Sequence, residues 1–170
     1  RYLLHRCFRV VVVSEVLAFQ IEKMGVAKRK IIIAPNGVDP HQFDAELLKP
    51  ARIALRNLHR CDHSLVIGFV GTFGAWHGIE ILLHLINRSF ELSMPFHFFM
   101  IGDGKKLGWL KEQLALARVS PELITFTGLL PSDQARNYLA ACDVFVCPTQ
   151  PNNDGTPFLA HQPSCLSILV

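Results

Sequence analysis

Apolar residues occur along this chain in two alternating patterns: short unbroken blocks, and longer stretches where they recur every three or four positions. Val10 to Val13 is a β-branched block and reads as a buried strand. Ser14 follows, and Val16, Leu17, Phe19, Ile21 and Met24 are then spaced for a helix burying one face. Ser14 is placed to cap that helix, Glu15 to complement its dipole and Gly25 to stop it. Ile31 to Ile33 predicts the next strand, closed by Pro35 and the turn pair Asn36-Gly37. After a turn, a helical stretch runs around Leu47 to Leu58. Leu65 to Val70 then reads as a strand, Gly71 to Gly78 as a glycine loop and Ile79 to Ile86 as a helix. The order repeats with strand Phe96 to Ile101, turn Gly102-Asp103-Gly104 and helix Leu107 to Val119. It repeats again with Leu123 to Phe126, ending at Gly128, and a helix from Pro131 and Ser132 that carries Ala135, Tyr138, Leu139 and Cys142. Val144 to Cys147 is a last short strand.

Short apolar strands alternating with amphipathic helices predict parallel βαβ units, hence an α/β fold: a Rossmann-like parallel sheet with flanking helices. In such a sheet the loops at the strands' carboxyl edge face the helix N-termini, and ligands bind there. Four segments fall at that edge: Gly71 to Gly78, Gly102 to Gly104, Gly128 to Pro131, and Thr149 to Pro157. The composition agrees. With 50% hydrophobic and 18% charged residues among 170, the chain is not disordered, a coiled coil or collagen-like. Seventeen basic against fourteen acidic residues give a net charge of +3, too mild to argue for nucleic acid. The dense basic run Lys28-Arg29-Lys30 leaves two readings open: a solvated helix end, or contact with a membrane surface or a phosphate. Five Cys, an odd number with no CxxC pair, read as free thiols in a reducing cytosol, and no metal site is expected.

The loop GTFGAWHG, Gly71 to Gly78, is neither GxGxxG nor a P-loop. Its glycines let backbone amides approach a phosphate at a helix start, or simply make a tight turn. His77 within it is either a hydrogen-bond donor to an anion or a half-exposed helix-start residue. Asp103 is placed to cap the helix carrying Leu107 and Leu110. Asn152, Asn153 and Asp154 before Gly155 suit either a polyhydroxylated sugar or an Asx-rich turn.

Taken in order, the segments VVVSEVLAFQIEKMGV, IIIAPNGVDPHQF, IGFVGTFGAWHGIEILL, FHFFMIGDGKKLGWLKEQL and ITFTGLLPSDQARNYLAACDVFVCPT resemble the glycosyl transferases group 1 family. These are retaining, nucleotide-sugar-dependent enzymes of the GT-B fold, and the resemblance is to capsular and exopolysaccharide biosynthesis members in particular. It implies the C-terminal half of a GT-B fold, truncated at both ends. Residues 1–27 would be the remnant of the N-terminal Rossmann domain and its connecting helix, and 28–158 the incomplete nucleotide-sugar-binding domain.

The resemblance also implies roles. Gly71 and Thr72 would face the donor diphosphate, and His77 stands where many members carry a phosphate-binding Lys. Gly74 and Ala75 occupy the place of an Arg common earlier in that loop. Gly102 would approach the nucleotide, and Gly128 and Leu129 would bracket its base. Asp154, Gly155, Thr156 and Pro157 match the start of the sugar-binding loop, where Asp154 stands near the first Glu of a paired-glutamate motif. His77 and Asp154 are the catalytic candidates. After Phe158 the family pattern breaks off, and no Glu follows Glu122. Codons for Lys-Leu-Phe-Glu-Tyr, read one base out of frame, spell Ser-Cys-Leu-Ser and open an Ile codon, the order of Ser164 to Ile168. Residues 159–170 are therefore expected to be a frameshifted tail.

The implied function is hexose transfer from a UDP- or GDP-linked donor to a glycan, lipid or other alcohol acceptor with retention, the 170 residues alone being inactive. No cofactor and no nucleic acid are expected. The implied setting is the cytoplasm, with peripheral contact at the inner face of the membrane. The alternative is a non-catalytic Rossmann-like nucleotide-binding or interaction module.

Overall fold

β-Branched and aromatic blocks become strands, and the amphipathic stretches between them become helices. The computed structural model describes residues 2–74, 77–92 and 94–148, which fall into two units, Arg1–Pro40 and the part from His41 onward. In the first unit, α1 (Tyr2–Arg6) precedes β1 (Val10–Val12), α2 (Glu15–Lys23) and β2 (Ile31–Ile33). The two strands pair in parallel, with Val10 opposite Ile31. Ser14 caps α2 as expected, its hydroxyl accepting from the N–H of Leu17 at 3.2 Å. Lys28–Lys30 forms a 3-10 turn, and the ammonium of Lys30 donates to the carbonyls of His5 and Cys7 at 3.0 and 3.1 Å. That residue of the basic run thus closes the end of α1, where a cation complements the helix dipole.

The second unit runs α3 (Ala45–Leu58), β3 (Leu65–Val70), α4 (Ile79–Glu91), β4 (Phe96–Ile101), α5 (Leu107–Leu116), β5 (Ile124–Gly128), α6 (Ser132–Ala141) and β6 (Val144–Phe145). Its sheet has the order β5-β4-β3-β6, with every pair parallel. α3 begins two residues before Leu47 because Asp44 caps it, its carboxylate accepting from the N–H groups of Glu46 and Leu47. α5 stops at Leu116, short of Val119, in a Schellman closure. Arg118 turns left-handed at φ 56°, and the N–H of Val119 returns to the carbonyl of Leu114.

Successive residues of the central strands serve opposite faces, the period of a strand covered on both sides. Ile67, Phe69, Phe98 and Met100 pack with Ile79, Leu82 and Ile86 of α4 and Leu110 and Leu114 of α5. Val66, Phe99 and Ile101 pack on the other face with Ala141, Cys142 and Leu55, between α3 and α6. Burying both faces is the reason these strands are nearly continuous hydrophobic runs rather than alternating ones. Arg52 and Arg56 of α3 fasten this second layer. Their guanidinium groups donate to the carbonyls of Ala140, Ala141 and Cys142 at the end of α6, and both pair with Asp143.

Candidate functional site

Strand order locates the cleft. The chain steps outward from β3 to β4 to β5, then returns through α6 to place β6 on the other side of β3. The reversal between β3 and β6 is the topological switch point, where a parallel sheet opens a crevice outside its carboxyl ends. The segments that meet there are Gly71 to Gly74 and His77-Gly78 after β3, Gly102 to Gly104 after β4, Gly128 to Leu130 after β5 and Val146 to Pro148 after β6.

These loops are knit to one another through their backbones. The N–H of Gly71 donates to the carbonyl of Ile101 at 3.0 Å, and that of Gly102 to Gly128 at 2.9 Å. A Cβ at Gly102 would meet the carbonyl oxygen of Gly71 at 2.0 Å, and one at Gly104 the carbonyl oxygen of Thr72 at 1.6 Å. At Gly78 it would meet the carbonyl oxygen of Pro148 at 2.0 Å. Three of the glycines are thus required by the protein's own backbone, which approaches too closely for any side chain. Gly128 differs: its φ is +68°, but nothing lies within 4 Å of the place a Cβ would take. Leu129 beside it is exposed.

Phe73 anchors the first loop, a role no sequence pattern indicates. Its backbone is left-handed at φ 43°, a costly conformation for an aromatic residue, and its ring is fully buried edge-on against Phe69, with centroids 5.0 Å apart. Burial of the ring holds the strained turn in place.

The same loop orients His77. Its Nδ1 accepts from the N–H of Gly74 at 3.3 Å and lies 3.4 Å from the hydroxyl of Thr72, while its ring stands edge-on to Phe69. Burial lowers its pKa below the ordinary value, favouring the neutral ring. With Nδ1 accepting, the proton of that ring sits on Nε2 as a donor. α4 begins directly after it at Gly78, which supplies no side-chain cap to the first-turn amides. Among the described residues no side chain caps the start of α4, and its first-turn amides, beside the His77 ring, suit an anion.

Asp103 does not cap α5. That helix starts at Lys106-Leu107, too far along the chain, and the Asp103 carboxylate instead accepts from the adjacent N–H of Gly104 at 2.7 Å. Asp154, Gly155, Thr156 and Pro157, like the 159–170 tail, lie outside the described residues. Gly71, Thr72, His77, Gly102, Gly128 and Leu129 do lie on one sheet edge.

A polar cluster that sequence reasoning missed lies at the opposite, amino-terminal edge. His59 bridges the hydroxyls of Tyr138 and Thr125 at 3.1 and 3.2 Å, and His97 reaches Thr125 at 2.9 Å. Only tertiary folding brings these four together. Among the described residues, no group of three or more His, Cys, Asp or Glu could hold a metal ion, and no helix is long and apolar enough to cross a membrane. Cys7, Cys61, Cys142 and Cys147 are free thiols.

Comparison with known proteins agrees with this geometry. The profile described as "Glycosyl transferases group 1" matches residues 64–162, more than half of the chain. The 2-deoxystreptamine glucosyltransferase of Streptomyces kanamyceticus is 27% identical over 150 residues, covering 88% of this chain and 38% of that protein. Among solved structures, Anabaena HepE in complex with UDP and glucose superposes with a TM-score of 0.73 at 17% identity, covering 87% of this chain and 40% of that one. WaaG, a glycosyltransferase involved in lipopolysaccharide biosynthesis, superposes with a TM-score of 0.65 at 16% identity, covering 83% and 38%. The chain therefore spans about two fifths of the length of these relatives. Parallel strands flanked by helices, a glycine loop at the switch point and the profile match over both together make this chain a GT-B-fold domain that belongs to the glycosyl transferases group 1 family.

Proposed function

We propose that this chain supplies the donor-binding half of a retaining hexosyltransferase. In this reading, the enzyme moves a hexose from a UDP- or GDP-linked donor to a glycan, lipid-linked or other alcohol acceptor in polysaccharide biosynthesis. Residues 1–40, where β2 pairs with β1 and not with the second sheet, end the acceptor-side domain, so its boundary lies later than residue 27, and the part from His41 onward forms the donor side. The observation that carries the reading is the loop Gly71 to Gly78 at the switch point, where His77 and the uncapped start of α4 lie together. Transfer leaves a diphosphate with growing negative charge. Fixed dipoles and a positioned donor stabilise such charge without reorganising during reaction. Gly71, Thr72 and His77 face that diphosphate, Gly102 lies along the nucleotide, Gly128 and Leu129 flank the base, and Asp154 to Pro157 receive the sugar.

HepE has been crystallised with UDP-glucose, which makes UDP the first ligand to try. Calorimetry with UDP, GDP and NAD tests the reading. Micromolar binding of UDP or GDP, weakened about tenfold by His77→Ala, is expected; binding of NAD alone would overturn it. The 170 residues by themselves are expected to bind without turnover. For the whole enzyme, the anomeric configuration of the first-formed product, read by NMR, decides retention.

A second reading, a nucleotide-binding module without catalysis, is favoured by the absence of Lys and Arg from Gly71 to Gly78. Donor turnover by the whole enzyme separates the two.

A further inference from the structure

The phosphate-facing loop contains no Lys or Arg, yet an acid stands just beyond it: Glu80 lies in the first turn of α4. A carboxylate there suits the helix dipole but opposes a bound diphosphate. Glu80 does not stand alone. Its carboxylate accepts from the ammonium of Lys106, which sits at the N-cap of α5, and this bond is the main reason its carboxyl lies below the ordinary range. Lys106 is itself tied to the loop, its N–H donating to the carbonyl of Phe73 at 3.1 Å. Just before it, Gly104 lies against Thr72 with no room for a side chain. One residue therefore links the loop after β3, the start of α4 and the start of α5.

We propose that Lys106 is a positioning and charge-compensating residue of the donor site: it cancels the charge of Glu80 where the diphosphate binds, so that the acid does not oppose the donor. The inference rests on the donor-binding reading above. It predicts that the cost of losing Lys106 comes from the acid left behind, so that removing the acid as well restores binding.

The test is calorimetry of the full chain with UDP and, in parallel, with uridine, which has no phosphate. Lys106→Ala is expected to weaken UDP about tenfold and leave uridine within about twofold. The double variant Glu80→Gln, Lys106→Ala should return UDP to within about threefold of the unaltered chain, and Lys106→Arg should bind nearly as the unaltered chain does. Equal losses for UDP and uridine would mean a merely structural role and overturn the proposal. So would unchanged UDP binding in Lys106→Ala, or a double variant as weak as the single one. Glu80→Gln alone keeps the lysine and is expected to bind UDP as well as or better than the unaltered chain. Weaker UDP binding in that variant also overturns the proposal, whatever the folding of Lys106→Ala. An unaltered chain that binds no UDP overturns the donor-binding reading and this inference with it. UDP binding indifferent to Lys106 and Glu80 overturns this inference alone.

Discussion

Gly102, Gly104, Gly108 and Gly128 are the same residue in four environments, and the environment decides what each one does. At Gly104 a methyl group would lie 1.6 Å from the carbonyl oxygen of Thr72, and that oxygen belongs to backbone which cannot rotate away. Gly104→Ala is expected to cost about 3 kcal/mol or more in urea denaturation, the size of a severe steric change in a packed site. Gly128→Ala meets open space and carries only the left-handed strain, about 1–2 kcal/mol. Gly108 lies inside α5 with nothing near its Cβ position, so Gly108→Ala should stabilise by about 0.5–1 kcal/mol. A flat response across the three would show that the loops after β3 and β4 are not packed backbone to backbone. The sequence marks all of these glycines alike. Nothing in the one-dimensional pattern distinguishes a glycine that spares a neighbouring carbonyl from one that ends a strand.

Among the elements, α3 and α6 are joined by ion pairing as well as by apolar contact. Asp143 accepts from Arg52, from Arg56 at 3.0 Å and from the N–H of Val66 at 2.8 Å, so one carboxylate ties both helices to the central strand. Burial alone would raise its pKa; the Val66 N–H and the two guanidinium groups outweigh that and hold it below the ordinary value. Asp143→Asn leaves two arginines facing helix-end carbonyls without their counter-charge, and a loss of about 2–3 kcal/mol is expected by chemical denaturation. A loss under about 0.5 kcal/mol would place the pair with ordinary surface salt bridges. Strand and helix positions were legible from periodicity, because both faces of the sheet are buried and leave unbroken apolar blocks. The tie was not legible: Arg52 and Asp143 are 91 residues apart, and charge along the chain does not say which groups will meet.

For the molecule as a whole, acid sensitivity follows from the buried His97. Burial, with smaller contributions from the neighbouring His59 and Arg56, pushes the pKa of His97 down to about 4 from 6.5. The ring is thus neutral when folded and protonated when unfolded between those values, so the unfolded chain binds more protons and stability falls as pH drops from about 6.5 towards 4. The expected loss is about 3 kcal/mol across that window, followed by urea denaturation at stepped pH, and His97→Gln should flatten it. A stability constant from pH 7 to 5 would contradict the burial of this ring. By itself the sequence determined the alternation of strands and helices, the parallel sheet and the edge on which its loops gather, because periodicity and turn chemistry are local properties; the order of its motifs carried the family resemblance. Only the tertiary structure decided which glycines are packed against backbone, that Phe73 anchors the first loop, and that Lys106 joins Glu80. Each of these is a contact between residues distant along the chain or a backbone angle set by packing, and hydrophobic pattern specifies neither.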